Sequence, residues 1–175
     1  MLEFITDREI YERVICNLVP QARDFLWLAT ADLKDLHVDK GRRMVPFLEV
    51  LSELVRRKVE IRLLHAKAPG PVFRRDYEKY RNLAKGMEMM LCPRVHLKAV
   101  IVDGRWAYTG SANLTGAGVG AKNKNRRNFE SGIVTDEKRL VAGIMGQFDG
   151  IWRGSHCREC RRKEFCADHK EMSGR

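Results

Sequence analysis

The sequence predicts a single α/β domain with a mixed β-sheet flanked by helices. Three observations predict this fold class. Apolar runs of strand length alternate with segments of helical periodicity up to residue 92, strands follow one another from 95 to 134, and one last amphipathic helix ends near residue 152. No segment repeats, and 175 residues are enough for one core. We therefore predict one domain over 1–152, followed by a short, basic, Cys- and His-rich tail over 153–175.

The first half of the chain alternates helices with strands. Thr6 and Glu9 form a capping-box pattern, which predicts that a helix begins there, and Pro20 marks its end. The apolar pattern then predicts, in chain order, a buried strand at 25–30, a polar loop at 31–41, a helix from 44 to 55, a strand at 59–65, a helix at 72–85 and a strand at 87–92.

The helix predicted at 72–85 has two unlike sides. Phe73, Tyr77, Tyr80 and Ala84 share one face, which favours packing against the core, and Gly86 is placed to cap the C-terminus. The other faces carry basic side chains that solvent or phosphate groups would contact. These residues are Arg74, Arg75, Lys79, Arg81 and Lys85.

The second half consists mainly of consecutive strands. A strand at 95–102 is followed by Asp103-Gly104, which is a hairpin turn signal, and by a returning strand at 105–109. A basic, Asn-rich loop then leads to a strand at 129–134. The apolar stripe of the last helix consists of Leu140, Val141, Ile144, Met145, Phe148, Ile151 and Trp152.

Six residues of this half form the pattern H-x-K-x4-D-x6-G-S-x-N. They are His96, Lys98, Asp103, Gly110, Ser111 and Asn113. Because His96 and Lys98 are two positions apart in a predicted strand, both side chains project from one face. At average residue frequencies, a chance match is expected in about one of 10^5 to 10^6 such chains.

The stretch HLKAVIVDGRWAYTGSAN, with NFESGIV downstream, resembles the HKD motif of the phospholipase D superfamily. Superfamily members with one motif and fewer than about two hundred residues are the most similar, particularly the small bacterial endonucleases. The resemblance implies that 1–152 is a phospholipase D-like catalytic domain. It also implies a phosphodiesterase in which His96 attacks phosphorus and forms a covalent phosphohistidine intermediate.

The resemblance assigns a role to each site residue. Lys98 supplies positive charge beside the phosphoryl oxygens, and Asn113 donates an amide hydrogen bond to another of them. Ser111 donates a hydroxyl hydrogen bond to the same group or to the loop. Glu130 matches the acid that hydrogen-bonds the nucleophilic imidazole, whereas Asp103 organises the turn rather than taking part directly.

A single motif supplies one imidazole, whereas the reaction needs both a nucleophile and a general acid. As in superfamily members with one motif, we expect a homodimer whose active site lies at the two-fold interface, where the two copies of His96 meet. Gly116, Gly118 and Gly120 would then line a shared cleft. Because Lys98 of both subunits replaces a Lewis acid, we expect no cofactor for catalysis.

The substrate class has to be inferred from residues outside the motif. The net charge of +10 favours polyanionic partners. The loop after the motif carries basic residues that are placed to contact a phosphate backbone, namely Lys122, Lys124, Arg126 and Arg127. These features predict a metal-independent endonuclease on DNA or RNA with low sequence preference, although a solvated loop would carry the same charges. The alternatives are a phospholipid phosphodiesterase of the phospholipase D or cardiolipin hydrolase type, and a nucleic-acid-binding subunit of a defence or repair assembly.

Three of the five cysteines cluster in the tail at the short spacing that is common in structural zinc sites. The predicted zinc ligands are Cys157, Cys160, Cys166 and His169. His156 is a competing fourth ligand. An iron–sulfur cluster with an external fourth ligand and a tail of reduced thiols without metal are the alternatives. Cys16 and Cys92 lie in apolar surroundings and are predicted to be buried thiols.

The apolar runs are too short for a membrane span. The longest are FLWLA at 25–29 and AVIV at 99–102, far below the length that crosses a bilayer. The N-terminal residues lack the basic-then-apolar pattern of a secretory leader. We therefore expect a cytoplasmic protein with no stable membrane insertion.

Overall fold

The structure, a computed structural model, describes residues 1–169, and the last positions of the predicted tail, 170–175, lie outside the described residues. The strands in chain order are β1 (Leu2–Thr6), β2 (Phe25–Thr30), β3 (Leu33–Lys34), β4 (His37–Asp39), β5 (Met44–Pro46), β6 (Glu60–His65), β7 (Met87–Leu91), β8 (Ala99–Val102), β9 (Trp106–Gly110), β10 (Leu114–Thr115) and β11 (Ser131–Thr135). The helices are an N-terminal helix (Ile10–Leu18), α1 (Phe47–Arg56), α2 (Pro71–Lys79), α3 (Leu83–Gly86) and α4 (Lys138–Trp152), with 3-10 turns at Val19–Gln21 and Lys163–Phe165.

A seven-stranded mixed sheet forms the centre of the domain, in the order β1-β11-β9-β8-β2-β6-β7. Strands β2, β6 and β7 pair in parallel, because a helix crosses over between each of them. Strands β8, β9, β11 and β1 pair antiparallel. Two short pairs, β3 with β10 and β4 with β5, lie outside this sheet. The predicted mixed sheet flanked by helices is therefore confirmed.

Apolar side chains pack on both faces of the sheet. On one face, Ile15 of the N-terminal helix and Leu51 of α1 are fully buried in the larger core cluster. On the other face, Phe148 of α4 stacks on Trp27 of β2, with ring centroids 5.0 Å apart. Consecutive residues of β2 thus enter different cores, which explains why FLWLAT is apolar throughout.

Local signals that rest on neighbouring residues predict their elements correctly. The carboxylate of Glu9 accepts a hydrogen bond of 2.9 Å from the backbone N–H of Thr6, as the capping-box pattern implies. Asp103 and Gly104 both have positive φ, 53° and 60°, and the N–H of Arg105 donates to the carbonyl of Val102 at 3.0 Å. This is the hairpin geometry that the Asp-Gly pair predicts.

Several local predictions are wrong where long-range contacts decide the conformation. Strand β1 is not predicted, because its pairing partner β11 lies near the other end of the domain. The polar loop at 31–41 contains β3 and β4, and Met44 belongs to β5 rather than to a helix. The helix predicted at 72–85 breaks at Tyr80, which has non-helical φ and ψ of −101° and 71° and whose hydroxyl donates to Glu49 at 2.9 Å. Ala84 is exposed and does not share the core face.

The segment at 95–98 does not join the sheet, which differs from the strand predicted over 95–102. Strand β8 begins only at Ala99, so His96 and Lys98 precede the ladder. Within this segment Val95 is buried in the α4 core and Leu97 packs against it, whereas His96 is exposed. No helix within residues 1–169 is long and apolar enough to cross a bilayer.

Candidate active site at one edge of the sheet

One edge of the sheet gathers the residues of the predicted site. Parallel strands β2 and β6 end there, at Thr30 and His65, and their antiparallel neighbour β8 begins there. Strand β9 ends and β11 begins at the same edge, since Gly110 pairs with Gly132. The chain therefore brings His96, Lys98, Ser111, Asn113 and Glu130 to one side of the domain, although they come from three segments.

His96 and Lys98 lie side by side. The ammonium of Lys98 is 3.2 Å from each ring nitrogen of His96, and it donates to the His96 carbonyl at 2.6 Å. The imidazole is exposed, whereas Lys98 is only 6% exposed. Burial lowers the pKa of Lys98, and the negative charge of Glu130 opposes that shift. The pair thus presents an accessible imidazole next to a buried ammonium group.

Asn113 is fixed through its amide oxygen. This oxygen accepts a hydrogen bond of 3.1 Å from the backbone N–H of Ala31. It also lies 3.2 Å from the Thr30 hydroxyl, which donates to the Asp32 carbonyl at 2.7 Å. The Thr30 hydroxyl is itself oriented, since it accepts from the N–H of Leu114 at 3.0 Å. With the oxygen engaged by β2, the Nδ2 group of Asn113 remains as the donor, which is the role predicted for it.

Glu130 contacts a different partner from the one predicted. Its carboxylate accepts a hydrogen bond from the Ser111 hydroxyl and another, of 3.1 Å, from the Asn128 amide. The predicted hydrogen bond to His96 is not formed in the described residues. Glu130 instead acts on the site through its charge near Lys98 and by holding Ser111. Ser111 also accepts from the N–H of Ser131 at 3.1 Å, so it joins the two strands of this edge.

Asp103 lies at the far end of β8 from the site. Its carboxylate accepts hydrogen bonds from three consecutive backbone N–H groups, those of Arg23, Asp24 and Phe25, at 2.8–3.2 Å. Asp103 follows Lys98 by five positions of largely extended chain, which corresponds to roughly 16 Å. Asp103 therefore organises the hairpin and the start of β2, as predicted, and does not reach the reacting groups.

The glycines after the motif pack closely against neighbouring backbone, and the shared cleft predicted for them in a dimer stays a prediction. A Cβ on Gly116 would lie 2.3 Å from the carbonyl oxygen of Asp35, and one on Gly118 would lie 2.5 Å from that of Asn113. Gly120 has a positive φ of 78° and lies against Asp7. These glycines let the loop pass close to neighbouring backbone, and they thereby fix the position of Asn113.

The basic loop is only partly available for binding. Lys122 forms an ion pair with Asp35 across the domain. Lys124 and Arg126 are exposed, Arg127 is half-buried, and no ion pair is found for them in the part of the chain that the structure describes. The basic residues predicted on the 72–85 segment are likewise exposed, namely Arg74, Arg75, Lys79, Arg81 and Lys85.

His65 is a residue of this edge that the sequence did not assign to the site. It ends β6 beside Thr30, it is only 1% exposed, and its Nδ1 contacts the Lys67 carbonyl. Its Nε2 is buried without a hydrogen-bond partner in residues 1–169. Burial lowers the pKa of His65 and favours the neutral ring. Its position at the end of a predicted parallel strand is the sequence signal that could have assigned His65 to this edge.

The tail packs against the same side of the domain. Cys92, Cys157, Cys160, Cys166, His156 and His169 all line one cavity. Burial raises the pKa of the Cys166 thiol, and the nearby thiols of Cys92 and Cys157 raise it further. Across residues 1–169, no three His, Cys, Asp or Glu side chains converge closely enough to hold a metal ion. The four predicted zinc ligands therefore line one cavity, and zinc binding stays a prediction.

Comparison with known proteins agrees with this fold. A family model described as "Cardiolipin synthase, PLD-like domain" matches residues 15–152. A mitochondrial cardiolipin hydrolase of Chlamydomonas reinhardtii is 28% identical over 105 residues, which are 59% of this chain, and this chain spans less than half, 44%, of that relative's length. These matches confirm the superfamily that the motif predicts.

Two solved bacterial structures have the same fold. NucT from Helicobacter pylori is 13% identical, with a TM-score of 0.65, and the match covers 87% of this chain and 97% of that one. The phospholipase D family member Nuc from Salmonella typhimurium is 18% identical, with a TM-score of 0.63 and coverage of 87% and 94%. At these identities the similarity concerns the fold.

Proposed function

The chain belongs to the phospholipase D-like family described for cardiolipin synthase, and we propose that it is a metal-independent endonuclease that cleaves phosphodiesters through a phosphohistidine at His96. The arrangement of His96, Lys98 and Asn113 carries this proposal. An exposed imidazole stands beside a buried ammonium group, and an oriented amide donor lies at the same sheet edge. A phosphodiester needs a nucleophile of this kind together with donors for its anionic oxygens.

The reaction proceeds in two displacements at phosphorus. In the first, a ring nitrogen of His96 forms a bond to phosphorus, the bond to the leaving oxygen breaks, and a second imidazole gives that oxygen its proton. In the second, water attacks phosphorus, the second imidazole accepts a proton from the water, and the N–P bond breaks. Lys98 and the Nδ2 of Asn113 stabilise the phosphoryl oxygens in both steps, so positive charge comes from the protein itself.

A homodimer supplies the second imidazole. The domain carries the motif once, so we propose that His96 of the partner subunit acts as the general acid across a two-fold axis. Phe129, directly before Glu130, is 96% exposed. A large apolar side chain at this place is consistent with a partner surface that covers the site.

Exposed cations in the loop that follows the motif favour a nucleic acid substrate. Lys124 and Arg126 lie in the loop between Asn113 and Glu130. The exposed basic residues of α2, namely Arg74, Arg75 and Lys79, add positive charge to the surface of the domain. Several phosphate contacts of this kind give binding that depends steeply on salt and little on sequence.

A lipid phosphodiesterase is the second candidate. The observation that favours it is the similarity to a mitochondrial cardiolipin hydrolase over 105 residues. The reaction at His96 would be the same, and only the group attached to phosphorus would differ. The two candidates therefore separate by substrate and not by mechanism.

A substrate panel with a chelator present tests the proposal. Purified protein is assayed on single- and double-stranded DNA, on RNA and on vesicles that contain cardiolipin. We expect cleavage of nucleic acid that is lost in His96→Ala and kept in His37→Ala, which removes an exposed imidazole far along the chain from the motif. Full activity of His96→Ala would refute the nucleophile assignment. Vesicle hydrolysis without nucleic acid cleavage would favour the second candidate.

A further inference from the structure

A cavity of about 230 Å³ lies between the end of β7, the end of α4 and the tail. Four of the five cysteines line it, namely Cys92, Cys157, Cys160 and Cys166. Cys92 directly follows β7, so it belongs to the folded domain although the other three belong to the tail. The fifth, Cys16, packs elsewhere, beside Tyr11. The fold thus joins one distant cysteine to the three that are close in sequence.

Specific contacts hold the tail at this place. The carboxylate of Asp168 accepts a hydrogen bond of 2.7 Å from the N–H of Leu91, and the thiol of Cys166 donates to the Leu91 carbonyl at 3.5 Å. These bonds place Cys166 next to Cys92, and Cys166 also lies within electrostatic reach of Cys157. The N–H of Cys160 donates to the carbonyl of Cys157 at 3.1 Å, so those two share one turn.

Four cysteines line the cavity, so a set of four ligands does not require an imidazole. His169, predicted from sequence as the fourth ligand, is engaged through Nε2 with the Cys157 carbonyl at 3.2 Å. Cys92 provides the fourth sulfur instead. The tail contains only three cysteines, so an iron–sulfur cluster would need a fourth ligand from elsewhere in the chain. Cys92, at the end of β7, lies where it can be that ligand.

The size of the space distinguishes a cluster from a single ion. Zinc bound by four thiolates at about 2.3 Å requires sulfurs only about 3.8 Å apart. Here no three candidate ligands within residues 1–169 converge in that way. The cavity is instead several times the roughly 30 Å³ that one water molecule occupies in the liquid. It has room for a group of several heavy atoms, and Met90, Pro93, Val95 and Ile151 give it an apolar lining.

We propose that Cys92, Cys157, Cys160 and Cys166 bind a [4Fe–4S] cluster in this cavity. Four thiolates are the ligands that such clusters use. The cluster joins the tail to the segment that carries the active site, because His96 follows Cys92 by four positions. That segment forms no sheet ladder before Ala99, so a cluster bonded to Cys92 restrains the start of a chain region that the sheet does not hold.

Anaerobically purified protein provides the test. We expect about four iron and four acid-labile sulfide per chain, the visible absorption of a cluster and a paramagnetic signal after one-electron reduction. Cys92→Ser and Cys160→Ser should each lose most of the iron. Cys16→Ser and His169→Ala are the matched controls and should keep it. Circular dichroism on every variant establishes that the domain is folded.

Three results would overturn the proposal. One is about one zinc per chain without sulfide, which would point to a single-ion site. Another is a protein that stays without iron after anaerobic reconstitution with ferrous iron and sulfide. The third is Cys92→Ser protein with unchanged iron content, or His169→Ala protein that loses as much iron as the cysteine variants. None of these measurements depends on the substrate, so they are independent of the proposed nuclease activity.

Discussion

Replacing Asp103 tests whether this residue of the motif stabilises the fold without taking part in the reaction. The carboxylate accepts hydrogen bonds from the N–H groups of Arg23, Asp24 and Phe25. At about 1 kcal/mol of net stability for each bond, their loss costs about 3 kcal/mol. Alanine must also adopt the positive φ of 53° at this position, which adds about 1 kcal/mol. Asp103→Ala should therefore lower the free energy of unfolding by about 4 kcal/mol.

That loss corresponds to a fall in Tm of about 8–16 °C for a chain of this size. Urea and thermal unfolding measure it, and Asp103→Asn is the matched control. Asparagine tolerates positive φ and keeps one acceptor oxygen, so it should lose clearly less stability. Below the Tm of the variant, kcat should stay within a few-fold of the parent protein, because Asp103 lies at the opposite end of β8 from Lys98. A collapse of kcat in a variant with unchanged Tm would refute this reasoning.

Three further predictions concern the site. Lys98→Ala should lose about 2.7–4 kcal/mol of transition-state stabilisation in single-turnover assays. Burial lowers the pKa of Lys98 below the ordinary lysine value. Activity of the parent protein should therefore fall as the pH rises through that pKa, because only the protonated form of Lys98 carries charge. Replacing Lys124, Arg126 and Arg127 together by Gln should flatten the salt dependence of nucleic acid binding, which otherwise weakens roughly 10³-fold or more between about 50 and 200 mM salt. Sedimentation should give a dimer at concentrations that sustain full turnover, and a fully active monomer would contradict the shared site.

The parts of the site that follow from sequence are those that neighbouring residues determine. The Asp103-Gly104 turn and the two-residue spacing of His96 and Lys98 depend only on local backbone geometry, and both appear as predicted. The hydrogen-bond partner predicted for the Glu130 carboxylate was wrong, because the position of this carboxylate depends on the path of the preceding loop. Residues 7 and 128 fix that path, and neither can be identified from the motif.

Pairings between distant segments account for the remaining differences. Lys122 of the basic loop forms an ion pair with Asp35, which precedes it by 87 positions, so its charge is already engaged. Local hydropathy predicted that Cys92 is a buried thiol. Its position beside the tail depends on the hydrogen bond from the N–H of Leu91 to the Asp168 carboxylate, which joins distant parts of the chain. In both cases a contact between distant segments decides the surroundings of the side chain. Cys92, like Cys16, is partly exposed and not buried as predicted.

The hydrogen bond between Asp168 and Leu91 also affects the free edge of the sheet. Strand β7 is a terminal strand, so the backbone groups on its free side would otherwise be open to pairing with another chain. Asp168 occupies the N–H of Leu91, Cys166 occupies its carbonyl, and the charge of the carboxylate opposes a further strand at this position. The tail thus occupies the free backbone groups of the last residue of β7 and opposes the addition of another strand at that position, whether or not the cavity beneath it is filled.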